Sequence, residues 1–213
     1  MSSSSGVSHP VFARLYPRMQ RTAAKRGESA HRVRLLEGLR GRVFEIGAGH
    51  GSNFEHYPTT VTEVVAVEAE PRLRVEADRA AKNAAVATTV LAGVAERLPL
   101  DDQSVDAAVA CLVLCTVPDL AAALREIGRV LRPGGELRFY EHVIGDGQPL
   151  RSVLRFAQAT FWPRIAGGCH PARDTAAAIR GAGFEIERCE RFPFRAGALD
   201  PPVPHILGIA KPS

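Results

Sequence analysis

Between residues 42 and 68, two short β-branched runs flank a glycine loop, and this arrangement leaves the chain few folds. Arg42-Val43-Phe44-Glu45-Ile46 reads as a buried strand, Gly47-Ala48-Gly49-His50-Gly51 as a sharp turn, and Val61 to Val67 as a second strand. The gap between the strands is helix-sized, which predicts a β-α-β unit with parallel pairing. Glycines at alternate positions let the backbone turn tightly and approach a ligand closely, next to the free N–H groups of a helix start. A dinucleotide fingerprint needs a third glycine at position 52, which is Ser52, and no Gly-Lys-Ser/Thr of a Walker loop follows.

The alternation continues along the chain. A helix is expected from Pro71 to Asn83, strands at Thr88 to Leu91 and Asp106 to Leu114, a helix from Asp119 to Leu131 and a strand from Glu136 to Glu141. Asp119 is placed to cap its helix, and Arg132-Pro133-Gly134-Gly135 cannot propagate it. Phe184 to Phe192 and His205 to Ala210 follow as strands with no helix between them, which fits an antiparallel hairpin at the sheet edge. The expected fold is α/β: a doubly wound, mostly parallel, Rossmann-like sheet with that C-terminal hairpin. Residues 1–41 read as an N-terminal helical cap with a break at Gly27, and 42–213 as the ligand-binding domain with a lid insertion at about 146–170. Phe156, Phe161, Trp162 and Ile165 concentrate aromatic bulk there. With Val11, Phe12, Leu15 and Tyr16 they form either a lid over an apolar pocket or ordinary packing at the sheet edge.

Composition excludes several classes. The longest apolar run, Ala107 to Val117, is far shorter than the roughly 20 residues that cross a bilayer. The N-terminus lacks an apolar signal region, so the expected location is cytoplasmic. Cys111, Cys115, Cys169 and Cys189 contain no C-x-x-C pair, and neither a disulfide nor a metal site is expected. The net charge of +4 hides an asymmetry, because residues 1–42 hold nine Lys/Arg against two acids. Such an arm suits an anionic membrane surface or nucleic acid, but the basic residues lack interleaved aromatics, so a solvated helix face is expected and nucleic acid is not a predicted partner. Peripheral membrane contact and oligomeric state stay open.

Individual side chains then suggest a site. Glu68 ends the second strand 17 residues after Gly51, at the crevice where an acid can accept hydrogen bonds from a ribose diol. Glu70 more naturally opens the next helix. Cys111 and Cys115, on the fourth strand and its exit, are expected to pack as small apolar groups. His142 follows the fifth strand at the ligand-bearing edge, either to orient or deprotonate an acceptor or as a hydrogen-bonded structural residue. His50 is expected to point to solvent, and His170 and His205 to be structural or pocket-lining.

Together these residues resemble the class I S-adenosylmethionine-dependent methyltransferases. Glu45-Ile46-Gly47-Ala48-Gly49-His50-Gly51 is similar to that family's first motif, Glu68 to its ribose acid, and Gly93-Val94-Ala95-Glu96-Arg97-Leu98-Pro99-Leu100 to its adenine-side loop. Ser104-Val105-Asp106 and Leu131-Arg132-Pro133-Gly134-Gly135 resemble its later motifs. The resemblance implies S-adenosylmethionine as cofactor, held by Glu45, Gly47, Ala48, Gly49, Gly51, Glu68, Ala95, Glu96, Cys111 and Leu112. Val94 stands where the family usually has Asp, which leaves the Ala95 backbone and the Glu96 side chain to face the adenine. Cys111 to Val117, Tyr140-Glu141-His142-Val143, Gly168-Cys169 and Pro204 to Gly208 are similar to segments of the methyltransferase-like seven group, whose vertebrate members methylate alkyl thiols. That implies a small apolar acceptor, an alkyl thiol. The rival expectations are a quinone ring, a phospholipid amine, or a non-catalytic module that binds cofactor or nucleic acid.

Overall fold

The small and β-branched runs after Gly41 build the centre of a seven-stranded sheet, in a computed structural model that describes residues 10–143, 170, 173–197 and 202–213. In chain order the strands are β1 (Gly41–Ile46), β2 (Val61–Glu68), β3 (Thr88–Ala92), β4 (Val105–Cys111), β5 (Leu131–His142), β6 (Phe184–Phe194) and β7 (Val203–Pro212). Across the sheet they run β3-β2-β1-β4-β5-β7-β6, with β1 to β5 parallel and β7 antiparallel to both β5 and β6. The order reverses between β1 and β4, the switch point at which open α/β sheets hold ligands.

Helices cover both faces, which is why the central strands read as nearly continuous apolar runs. On one face Phe44, Ile46 and Ala108 pack with Leu124, Ile127 and Val130 of α4 (Leu120–Val130) and Ile179 of α5 (Thr175–Gly181). On the other, Val43, Val64 and Tyr140 pack with Leu35 and Leu36 of α2 (Ser29–Leu36) and Ala77 of α3 (Pro71–Ala81). Before α2, α1 (Pro10–Ala23) runs into a π-helical turn, Ala24–Glu28, where Gly27 at φ +107° makes the expected break. Asp119 caps α4 by accepting from Ala122 N at 2.9 Å, and Glu70 caps α3 by accepting from Arg72 N at 3.3 Å.

Four local departures from expectation have physical causes. The helix expected between β1 and β2 is a single 3₁₀ turn, Phe54–His56, because Pro58 forces Tyr57 into extended backbone (φ −64°, ψ 129°). β4 stops at Cys111 rather than Leu114, because Leu112 adopts φ +56° and turns the chain out of the sheet. Leu131 opens β5 instead of closing α4, pairing with Val105 before the register shifts and Glu136 pairs with Ala107. Finally, α5 is an additional helix: Asp174 caps it by accepting from Ala177 N at 2.9 Å, ahead of a run of alanines that favours helix. The lid insertion expected at about 146–170, with Phe156, Phe161, Trp162 and Ile165, lies outside the described residues except for His170, as do Cys169 and the side chains of Val11, Phe12 and Leu15.

Candidate active site

The glycine loop turns through three left-handed residues, Gly47, Gly49 and Gly51, at φ +63°, +60° and +86°. At Gly47 a Cβ would lie 2.3 Å from Val113 Cγ2, so the residue is fixed as glycine by packing as well as by φ. The loop is tied down at several points: Ala48 N donates to Val67 O at 3.1 Å, and Gly51 N to Ala48 O at 2.9 Å. Gly49 N donates to Glu68 Oε2 at 2.7 Å, while Glu68 Oε1 accepts from Glu70 N at 2.8 Å. Burial raises the Glu68 carboxyl above the usual range, opposed by these backbone donors. Glu68 therefore stands at the end of β2, beside the loop and oriented by it.

Glu45 lies beneath the loop and is 1% exposed. One of its oxygens accepts from Asn53 Nδ2 at 3.0 Å and the other from Tyr57 Oη at 2.6 Å, and burial pushes its carboxyl up to about 7. Asn53 Oδ1 in turn accepts from Arg32 Nη1 at 2.8 Å. Arg32, on α2 and 5% exposed, also donates to Cys111 Sγ at 3.2 Å and Gln20 Oε1 at 3.0 Å, and pairs with Glu28 Oε2 at 3.4 Å. A buried cation thus ties the N-terminal helices to the glycine loop and to the end of β4. Sequence reasoning missed Arg32, Asn53 and Tyr57; the one legible signal was the Glu28 to Arg32 spacing of four on a helix.

Tyr16 of α1 covers the same loop, since a Cβ on Gly49 would meet Tyr16 Cε1 at 3.1 Å. Its ring stands edge-on to His50 at 5.7 Å. His50 does not point freely to solvent as expected: it is half-buried, bonds Ser52 Oγ at 3.0 Å, and burial pushes its imidazole down to about 4. A cleft of about 390 Å³ runs along this flank between Gln20, Arg21, Arg32 and His50, on the α1 side of the loop rather than over Glu68.

On the adenine-side loop Ala95 is buried, and an antiparallel bridge joins Val94 and Arg97. Glu96 Oε1 accepts from Asp119 N at 3.2 Å, which draws the Glu96 carboxylate toward the start of α4. Beyond Cys111, the turn is held by Glu141: its Oε1 accepts from Val113 N (3.0 Å) and Leu114 N (2.9 Å), and its Oε2 from Cys115 N (3.2 Å). Burial outweighs those donors and pushes the Glu141 carboxyl up to about 7. Cys111 and Cys115 are buried as expected, and burial, opposed by Arg32, pushes the Cys111 thiol up to about 12.

His142 ends β5 and lies opposite His205 of β7, with ring centroids 4.4 Å apart at 70°. His205 is 2% exposed, its Nδ1 bonds Val203 O at 2.8 Å, and burial followed by the neighbouring His142 pushes it down to about 3. Tyr140, Phe192 and Phe194 set aromatic rings around His205, and His31 lies against Tyr140. No group of His, Cys, Asp and Glu among the described residues is arranged to hold a metal ion. No described helix is long and apolar enough to cross a membrane.

With this geometry in view, a family model described as a methyltransferase domain matches residues 44–139. The mouse thiol S-methyltransferase TMT1B is 34% identical over 205 residues, covering 94% of this chain and 82% of that protein. Its human counterpart is 32% identical over 209 residues, covering 94% and 84%. Among solved structures, an S-adenosylmethionine-dependent methyltransferase of Thermotoga maritima superposes with a TM-score of 0.70 at 22% identity, over 95% of this chain and 99% of its own. At that identity the likeness concerns the fold.

Proposed function

The chain belongs to the class I S-adenosylmethionine-dependent methyltransferases, and from that premise we propose that it methylates the sulfur of a small apolar thiol. The observation that carries this acceptor is the similarity to thiol S-methyltransferase TMT1B, which runs along 94% of the chain.

The residues present suit the cofactor. The Glu68 carboxylate stands at the end of β2, Oε2 accepting from Gly49 N and Oε1 from Glu70 N, and keeps lone pairs for the ribose diol. Gly47, Ala48, Gly49 and Gly51 would bring backbone close to the methionyl end, with Glu45 bracing them from below. Ala95 and Glu96 would flank the adenine, and the backbone of Cys111 and Leu112 would border the sulfonium. When bound, the cofactor supplies an electrophilic methyl group and a neutral leaving group.

The chain's own residues then need mainly to align the acceptor and exclude water. A thiol with a pKa of roughly 8.5 is ionised to a few per cent near neutral pH, enough to react without a dedicated base. His142, at the C-terminal edge of β5, is the group we assign to orient the acceptor or to take its proton.

The test is a competition. Purified protein is given S-adenosylmethionine together with an alkyl thiol, a demethylated quinone and a phospholipid amine, and products are weighed by mass spectrometry. The expected product is the S-methyl thioether. Methylation of the quinone or the amine alone overturns the thiol reading, and a salt-sensitive shift of DNA or RNA without any methyl product would identify a binding module instead.

A further inference from the structure

Among the described residues, three buried side-chain polar atoms lack a hydrogen-bond partner: His31 Nδ1, the Tyr140 hydroxyl and the Thr175 hydroxyl. Folded proteins keep few such atoms, so two on touching rings call for a cause. The His31 and Tyr140 rings are 5.6 Å apart between centroids, inclined at 40°. Glu28, Arg32 and Cys111 lie within electrostatic reach of Tyr140, and Arg34 and Glu190 of His31, but none of them bonds the two orphaned atoms. Phe192 stacks on His31 at 4.4 Å, Phe194 meets it edge-on at 5.5 Å, and His205, whose Nδ1 is taken by Val203 O, stacks on Tyr140 at 5.4 Å.

The position of this aromatic box matters as much as its composition. Tyr140 pairs with Cys111 in the parallel register of β4 and β5, and its carbonyl accepts from Leu112 N at 2.7 Å. The box therefore borders the end of β4, on the side away from Glu68, and His142 lies two residues further along β5.

We propose that the Tyr140 hydroxyl and His31 Nδ1 form the polar seat of the acceptor site: the sulfur accepts a hydrogen bond from Tyr140 and gives its S–H to His31. This rests on the thiol reading above and sharpens it. One S–H group is donor and acceptor on a single atom, so it satisfies both orphaned groups at once. A quinone carbonyl only accepts and leaves the ring nitrogen unserved. Burial and Arg34 on its own helix hold the His31 imidazole below its usual range, while Glu190 on β6 opposes them. The ring is thus neutral near pH 7, with one nitrogen free to accept.

Tyr140→Phe removes only the orphaned oxygen. The expected result, with S-adenosylmethionine and 1-hexanethiol, is a KM for the thiol raised about fivefold or more, little change in kcat, unchanged cofactor affinity by calorimetry, and a melting temperature equal to or above that of the parent. His31→Phe, measured in parallel in case the first variant folds poorly, should raise the same KM. A purely structural role predicts the reverse, a lowered melting temperature with KM within twofold of the parent, and that outcome in both variants overturns the assignment. Failure of the parent to methylate 1-hexanethiol while it still binds cofactor overturns the thiol reading, and this seat with it.

Discussion

The Gly49 N–H donates to Glu68 Oε2 at 2.7 Å, and this contact joins the glycine loop to the end of β2. The other Glu68 oxygen is held by Glu70 N, at the residue that caps α3. The carboxylate is therefore oriented by backbone on both sides. Rigid placement of this kind lowers the ordering cost of binding.

On the proposed assignment of Glu68 to the ribose, replacing it by Ala removes charge-assisted hydrogen bonds worth about 1.5–3 kcal/mol, so cofactor affinity should fall roughly 10- to 150-fold by calorimetry. A change under about threefold would contradict the assignment of Glu68 to the ribose.

Much of this arrangement was legible in the sequence, and the exceptions share a cause. Parallel central strands are apolar on both faces, so β1, β2 and β4 announced themselves, and Glu68, Glu70 and Asp119 sat where strand ends and caps require them. What could not be read depends on partners distant in the chain. Arg32 looked like one more surface cation, yet it is buried against Cys111, 79 residues away. The left-handed Leu112 has no signature of its own, because the three N–H groups that follow it are gathered by Glu141 from the neighbouring strand. The missing helix after the glycine loop was open to inference from Pro58, which leaves only a 3₁₀ turn before it.

Arg32 ties Glu28, Gln20, Asn53 and Cys111 together. Arg32→Leu leaves the buried Glu28 carboxylate uncompensated, and breaking a buried pair in this way costs about 3–5 kcal/mol. Denaturant unfolding should show a loss of this size without a large change in m-value; a loss under about 1 kcal/mol would mean that Arg32 is dispensable.

His205 gives the stability a pH dependence of known sign. Its folded value of about 3 lies below the 6.5 of an unfolded histidine, so the unfolded chain binds more protons between those limits. Stability from this residue is present above pH 6.5 and is lost as pH falls toward 3, at roughly 1.4 kcal/mol per pH unit. His205→Phe keeps a ring in the stack and should lose less stability than the parent between pH 6.5 and pH 4.5. Parallel melting curves over that range would refute the buried neutral assignment.

His142→Asn separates orientation of the acceptor from binding of the cofactor. Turnover should fall about 10²-fold if the residue takes the acceptor proton, with cofactor affinity nearly intact. A variant that turns over at the parent rate would make His142 a structural partner of His205.

The central claim is that cofactor held at the glycine loop methylates a thiol sulfur, and one labelling experiment addresses it directly. Protein is incubated with S-adenosylmethionine carrying a deuterated methyl group and with 1-hexanethiol, beside a Gly49→Val variant in which a left-handed position acquires a branched side chain against Tyr16. The account predicts deuterated methyl hexyl sulfide from the parent and none from the variant. Labelled sulfide formed equally by both proteins, or none formed by a parent that binds the cofactor, would contradict it.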